Sequence, residues 1–167
     1  LVEKLNMDLQ RCWTYYLKAE QLLEQGHWPE AHHLYDEVLH HLPAHIQTAL
    51  VDDQTQPCQF SCLLTGLRDA AISQSEILNK MGQHHNAFDL LNQSYALLQF
   101  ISIETTSLIQ ATHHTLDKNC NDLLHHMGAF CRAQRNAQWM LEYEQVQKAH
   151  YHFSQLKSYG NAMESSH

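Results

Sequence analysis

Apolar residues recur at three- and four-residue steps through almost the whole chain, and little interrupts them. Leu9, Cys12, Trp13, Tyr16, Leu17, Ala19, Leu22 and Leu23 begin the pattern, which is the spacing of one helix face. Five glycines and three prolines are all that 167 residues contain. So few turn-formers leave little room for sharp reversals and exclude a sandwich of many short strands. With 44% hydrophobic and 17% charged residues, the chain can bury one good core as a globular domain. The fold class is all-α.

The few breakers divide the helices into hairpins. Gly26 ends the first helix by supplying a left-handed backbone position. Pro29 follows where a missing N–H costs nothing. A second helix carries Ala31, Leu34, Tyr35, Val38, Leu39 and Leu42 and is expected to stop at Pro43. The stretch from Asp52 to Pro57 reads as a polar loop. Helical spacing resumes near Phe60 through Leu63, Leu64, Leu67, Ala71, Ile72, Ile77 and Leu78, until Gly82 breaks it. The next arm starts near His84, carries Ala87, Phe88, Leu91, Tyr95, Leu98 and Ile101, and extends toward Ile109. The β-branched run from Ile101 to Ser107 marks an earlier alternative end. Two more helices fit residues 115–133 and 136–158, with a seam from Arg132 to Asn136 that lacks glycine and proline. The expected organisation is one domain, residues 1–158, of antiparallel hairpins at about 6–43, 60–109 and 115–158, with a polar tail at 159–167.

Ala19, Leu22, Gly26-His27-Trp28, Ala31, Tyr35, Val38 and Pro43 stand at tetratricopeptide-repeat spacing, with Tyr15 in the first aromatic position. Small residues there let paired helices approach, and large ones fill the gaps between turns. The first hairpin therefore resembles the tetratricopeptide-repeat family. Lys18 departs from the pattern, which usually has an apolar residue there. The motif recurs about 56 positions on, with Ala71, Ser75, Leu78, Gly82, His84, Ala87 and Leu91 in place and Gln99 instead of proline. A third copy near residue 121 keeps Leu124, Met127, Gly128 and Cys131, and Gly128 fits a close helix contact rather than a helix end. These intervals exceed the standard 34 residues, so the resemblance implies lengthened helices or inserts. It also implies hairpins stacked as a right-handed superhelix. An unrelated helical bundle is the competing reading.

The resemblance implies a docking surface lined by the first helix of each hairpin, which in such proteins holds a peptide or helix. Position by position it falls on Trp13, Tyr16, Glu20, Leu23 and Glu24, then on Asp69, Ile72, Glu76, Asn79 and Lys80. This mixture of aromatic and acidic groups suits a partner with apolar anchors and basic residues. Tyr16 and Glu20 stand where a clamp for a C-terminal carboxylate would want lysine and asparagine, so that specificity is not expected. Alternatively, Trp13 and Tyr16 are covered by the N-terminal residues or buried in a homodimer. The expected function is a non-enzymatic adaptor or chaperone, with a secretion-type chaperone as one subclass.

Charge and motifs narrow the other classes. Lys+Arg is 10 against Asp+Glu 18, a formal net charge of −8, and no basic run exists, so nucleic acid is not an expected partner. No apolar run is long enough to span a membrane. Leu1 to Leu9 carry no apolar signal-peptide core. The odd set Cys12, Cys58, Cys62, Cys120 and Cys131 reads as free, mostly buried thiols, so the expected compartment is the cytoplasm. Cys58 and Cys62 are four apart and read as buried small hydrophobes near a helix start. No phosphate loop, H-E-x-x-H or G-x-S-x-G occurs, so no catalytic residue and no cofactor is expected. The 15 histidines include two stripes at four-residue spacing: His33, Glu37 and His41; His32, Asp36 and His40. Further pairs at that spacing are His113 with Asp117 and Asp122 with His126. That is a pitch at which one helix offers two metal ligands. A metal- or pH-responsive sensor is the alternative function, although solvated helix surface accounts for the same spacing and no residue is assigned to a metal.

Overall fold

The computed structural model describes residues 7–165, with side chains through residue 158. Among them there are six helices and no strand: α1 (Leu9–Glu24), α2 (Trp28–Val51), α3 (Pro57–Lys80), α4 (His84–Ser102), α5 (Ser107–Ala133) and α6 (Ala137–Ser165). They fall into two compact units. The first holds α1 to α4 and α5 as far as Leu123, and the second begins at Leu124. Residues 1–6, on which part of the signal-peptide reading and the start of the first hairpin fall, lie outside the described residues.

In the first unit the apolar stripes meet as their spacing requires. Ala19, Ala31, Tyr35, Phe60, Leu64, Ala70, Ala71, Ala87 and Leu98 have no solvent exposure. Each large side chain so buried contributes about 1.5–3 kcal/mol. Consecutive helices pack together from α1 through α4. The second unit buries Met127, Cys131 and Tyr143. Gly128 is a close contact, since a Cβ there would lie 2.6 Å from Tyr143 Cζ. As expected for it, glycine lets these helices touch.

The turns inside the first two hairpins, α1–α2 and α3–α4, are built alike. Gly26 and Gly82 take φ of +80° and +78°. After the first, His27 N–H donates to Leu22 O at 2.8 Å and Gly26 N–H to Leu23 O at 3.0 Å; after the second, Gln83 and Gly82 do the same to Leu78 and Asn79. These paired bonds satisfy carbonyls that a helix end leaves open. The turn between α5 and α6 has no glycine, and Arg135 adopts φ of 51° instead. Asn136 then caps α6 through its side chain, accepting from Gln138 N–H at 2.8 Å.

Several boundaries differ from the sequence reading. α2 does not stop at Pro43 but runs on to Val51. The lost N–H bond costs about 3 kcal/mol, and the burial of Leu42 and Ile46 on the same face offsets it. α3 begins at Pro57, not near Phe60, because Gln56 and Gln59 form a reciprocal capping box. α4 ends at Ser102, short of Ile109. α5 starts at Ser107, not 115, with Thr106 Oγ1 accepting from Ile109 N–H at 3.2 Å. α6 continues past residue 158 to Ser165, so the tail is helical through residues 159–165.

His41 is one of the few buried polar groups, 6% exposed on α2. Burial pushes its pKa down and its neighbours His40 and His45 add to this, while Glu37, 3.8 Å away, opposes it. A base with a lowered folded-state pKa binds protons better when unfolded, so it subtracts stability as pH falls below about 6.5. Replacing His41 with leucine is expected to flatten the fall in the urea midpoint between about pH 7.5 and 5.5 relative to wild type. The turns make a second prediction. Nothing lies within 4 Å of a Cβ at Gly82, so Gly82→Ala meets only backbone strain and should cost about 1 kcal/mol. Arg135→Gly should raise stability by up to about 1 kcal/mol in the same urea titrations.

Candidate functional site

α1, α3 and α5 are linked by side chains in the first unit. Gly66, midway along α3, faces Trp13 of α1: a Cβ at Gly66 would lie 2.9 Å from Trp13 Cη2. Tyr16, one turn further along α1, meets Asp69, one turn further along α3, at 3.5 Å. The equal steps from 13 to 16 and from 66 to 69 show that α1 and α3 run in the same direction here. Trp13 and Tyr16 also pack edge-to-face, with ring centroids 5.4 Å apart. Beneath Trp13 lies a small apolar cleft lined by Leu9, Cys12, Val38 and Leu42 together with Tyr16 and Gly66.

Arg68 carries the link onward to α5. Its Nε donates to Asp69 Oδ1 at 2.9 Å, and its Nη1 donates to Asn119 Oδ1 and Asp122 Oδ2, both at 2.8 Å. Lys118 Nζ reaches the same Asp122 oxygen at 3.1 Å. Ser61 Oγ donates to Thr115 Oγ1 at 3.3 Å on the same two helices. Charge-assisted bonds of this kind are the stronger ones. Burial works against the Arg68 charge, but Asp69 and Asp122 more than restore it, so its pKa rises. Burial likewise opposes ionisation of Asp122, but Lys118 and Arg68 outweigh it and hold the carboxyl below its ordinary range.

Carboxylates gather around the tyrosines at this junction. Burial raises the Tyr16 pKa first, followed by a hydrogen bond with Glu20 and the charges of Asp69 and Glu20. Burial also raises that of Tyr35 on α2; Ser73 pulls the other way, and the charges of Glu20, Asp69 and Glu76 add to the rise. Both phenols therefore stay neutral, and Tyr16 serves as a hydrogen-bonding group toward Asp69.

The sequence-derived docking residues divide among three environments. Trp13 and Tyr16 are committed to internal packing, Trp13 half-buried and Tyr16 buried, and Asp69 is engaged by Arg68 and Tyr16. Glu20, Leu23 and Ile72 are half-buried, whereas Glu24 and Glu76 are exposed. Asn79 is taken up near the α3–α4 turn, where its Oδ1 pairs with His84 Nδ1, and Lys80 is exposed at the end of α3. The idea that N-terminal residues cover Trp13 falls partly outside the described residues; Met7 is buried, and its carbonyl accepts from His45 Nε2 at 2.7 Å. Gly66, Arg68, Asn119 and Asp122 were not singled out as contacts. A glycine in an uninterrupted helical pattern is the signal that marks Gly66.

The histidine stripes do not act as units. His32 Nδ1 pairs with Gln74 Nε2 at 2.8 Å, His41 is buried over Glu37, and His33 and His40 are exposed. No three histidine, cysteine, aspartate or glutamate side chains come together as metal ligands among the described residues. Cys58 and Cys62 are exposed, contrary to the expectation of buried small hydrophobes, because the cover that Trp13 gives α3 falls on Gly66 and not on the two cysteines. Among the described residues no helix is long and apolar enough to cross a membrane. No protein-family model, curated protein or solved structure matches the chain.

Two substitutions test the α1–α3–α5 linkage. Gly66→Ala should force Trp13 aside, lowering stability by about 1–3 kcal/mol and changing tryptophan emission. Arg68→Met should strand Asp69 and Asp122 beside a buried apolar chain and bring acid unfolding to higher pH. The sign follows from Asp122: a carboxylate with a lowered folded-state pKa adds stability above its unfolded value of about 4 and loses it on acidification. Circular dichroism during acid titration reads that midpoint.

Proposed function

We propose that this chain is a tetratricopeptide-like, non-enzymatic binding module, with its hairpins stacked as a right-handed superhelix that holds a peptide or helix of another protein. The observation that carries the reading is the contact of each hairpin's first helix with the next: Trp13 and Tyr16 with Gly66 and Asp69, then Ser61 and Arg68 with Thr115, Asn119 and Asp122. A stack of repeats requires such contacts, whereas a hairpin paired only with its immediate neighbours does not. The matching glycine turns after α1 and α3 support the same reading.

The binding surface is centred on Glu20, Leu23, Glu24, Ile72 and Glu76. Trp13 and Tyr16 build the floor rather than meeting the partner as free anchors. Half-buried leucine and isoleucine supply apolar contact, and the carboxylates select a segment bearing lysine or arginine. The partner is a protein or peptide rather than nucleic acid, and an adaptor or chaperone role in the cytoplasm fits this chemistry.

Selection of peptides from a displayed random library is the direct test. Enriched sequences should combine apolar and basic residues, and binding of a selected peptide should weaken as salt rises. Glu20→Lys with Glu76→Lys should reduce that affinity by about tenfold or more. Enrichment of acidic peptides, or unchanged binding by the double variant, would overturn the reading.

A further inference from the structure

Thiol chemistry in this chain is confined to one place. Cys12, Cys120 and Cys131 are buried, and burial pushes the Cys12 and Cys131 thiols up to about 11. Such thiols stay protonated and closed to reagents. Cys58 and Cys62 are free and exposed in the opening turns of α3. Four residues apart on a helix, their Cβ atoms stand about 5–6 Å from each other on one face. The same stripe continues to Gly66, which Trp13 covers, whereas the two cysteines are open to solvent.

Two metal–sulfur bonds of about 2.3 Å each bring sulfurs to within about 4.6 Å of one another. Cβ atoms about 5–6 Å apart are compatible with sulfurs at that separation. Thiolates are soft ligands that select soft ions such as monovalent copper or zinc. Zinc in a structural site takes four ligands, and no cluster of three potential ligands forms among the described residues. The pair therefore matches an ion that two thiolates satisfy. We infer that Cys58 and Cys62 form a two-thiolate site for monovalent copper at the start of α3.

Binding is a ligand exchange with no change of oxidation state. Two S–H bonds give up their protons to solvent, two copper–sulfur bonds form, and the bis-thiolate complex carries one net negative charge. That charge lies in the opening turns of α3, where the helix dipole favours an anion. The site is independent of the peptide surface proposed above, so the two stand or fall separately.

Titration of the full chain with monovalent copper under anaerobic conditions, in competition with a chromogenic chelator, tests the site. It is combined with maleimide labelling read by mass spectrometry. The native protein should take two maleimides, at Cys58 and Cys62, and one equivalent of copper should abolish both adducts. Cys58→Ser and Cys62→Ser should each lose the ability to withdraw copper from the chelator, with unchanged circular dichroism. Wild-type competition by either single variant would place the copper elsewhere and overturn the inference. So would maleimide adducts that persist at both cysteines in the presence of copper.

Discussion

The close approach of neighbouring helices is the constraint on which everything else here depends. Ala19, Ala31, Ala70, Ala71 and Ala87 are fully buried, and none has a side chain longer than a methyl group. Gly66 and Gly128 go one step further and leave room for an aromatic ring from the facing helix. Interiors pack at crystal-like density, so a single methyl group in such a place displaces its neighbours. With the backbones this close, the longer residues Tyr35, Phe60, Leu64 and Leu98 fill the remaining space without exposure.

Arg68 uses that closeness for a different purpose. Its side chain is 15% exposed, while Asp69 and Asp122 are more than a third exposed. A guanidinium held this deep would be costly alone, but its fork of donors meets two carboxylates and the Asn119 amide at hydrogen-bond distance. Its partners on α5 lie more than 50 residues further along the chain. The contact thus makes neighbours of two helices that are remote in sequence.

Much of the helical order was legible because it rests on local rules. Gly26 and Gly82 were read as stops and take the left-handed conformation that glycine adopts without strain. Gly128 was read as a close contact and faces Tyr143. Pro43 signals a helix end by its local cost alone, and the burial of Leu42 and Ile46, which carries α2 past it, is not a local property. The start of α3 was placed too late because a glutamine pair served as its capping box, where serine, threonine or aspartate is the more familiar signal. The turn between α5 and α6 lacked a marker, since Arg135 holds a backbone conformation that its side chain does not favour.

The docking residues show the same division. For the docking residues that the tetratricopeptide resemblance singled out, periodicity placed Trp13, Tyr16 and Glu20 on one helix and Asp69, Ile72 and Glu76 on another, because side-chain direction repeats with the turn of the helix. It also established the all-helical class, since so few glycines and prolines leave helices as the economical way to satisfy backbone hydrogen bonds. Only the tertiary structure decided that Trp13 covers Gly66, that Tyr16 meets Asp69 and that Arg68 holds α5. Only it separated the exposed Cys58 and Cys62 from the three buried thiols. Helix periodicity is a property of neighbouring residues, whereas burial and pairing depend on which faces of distant segments meet.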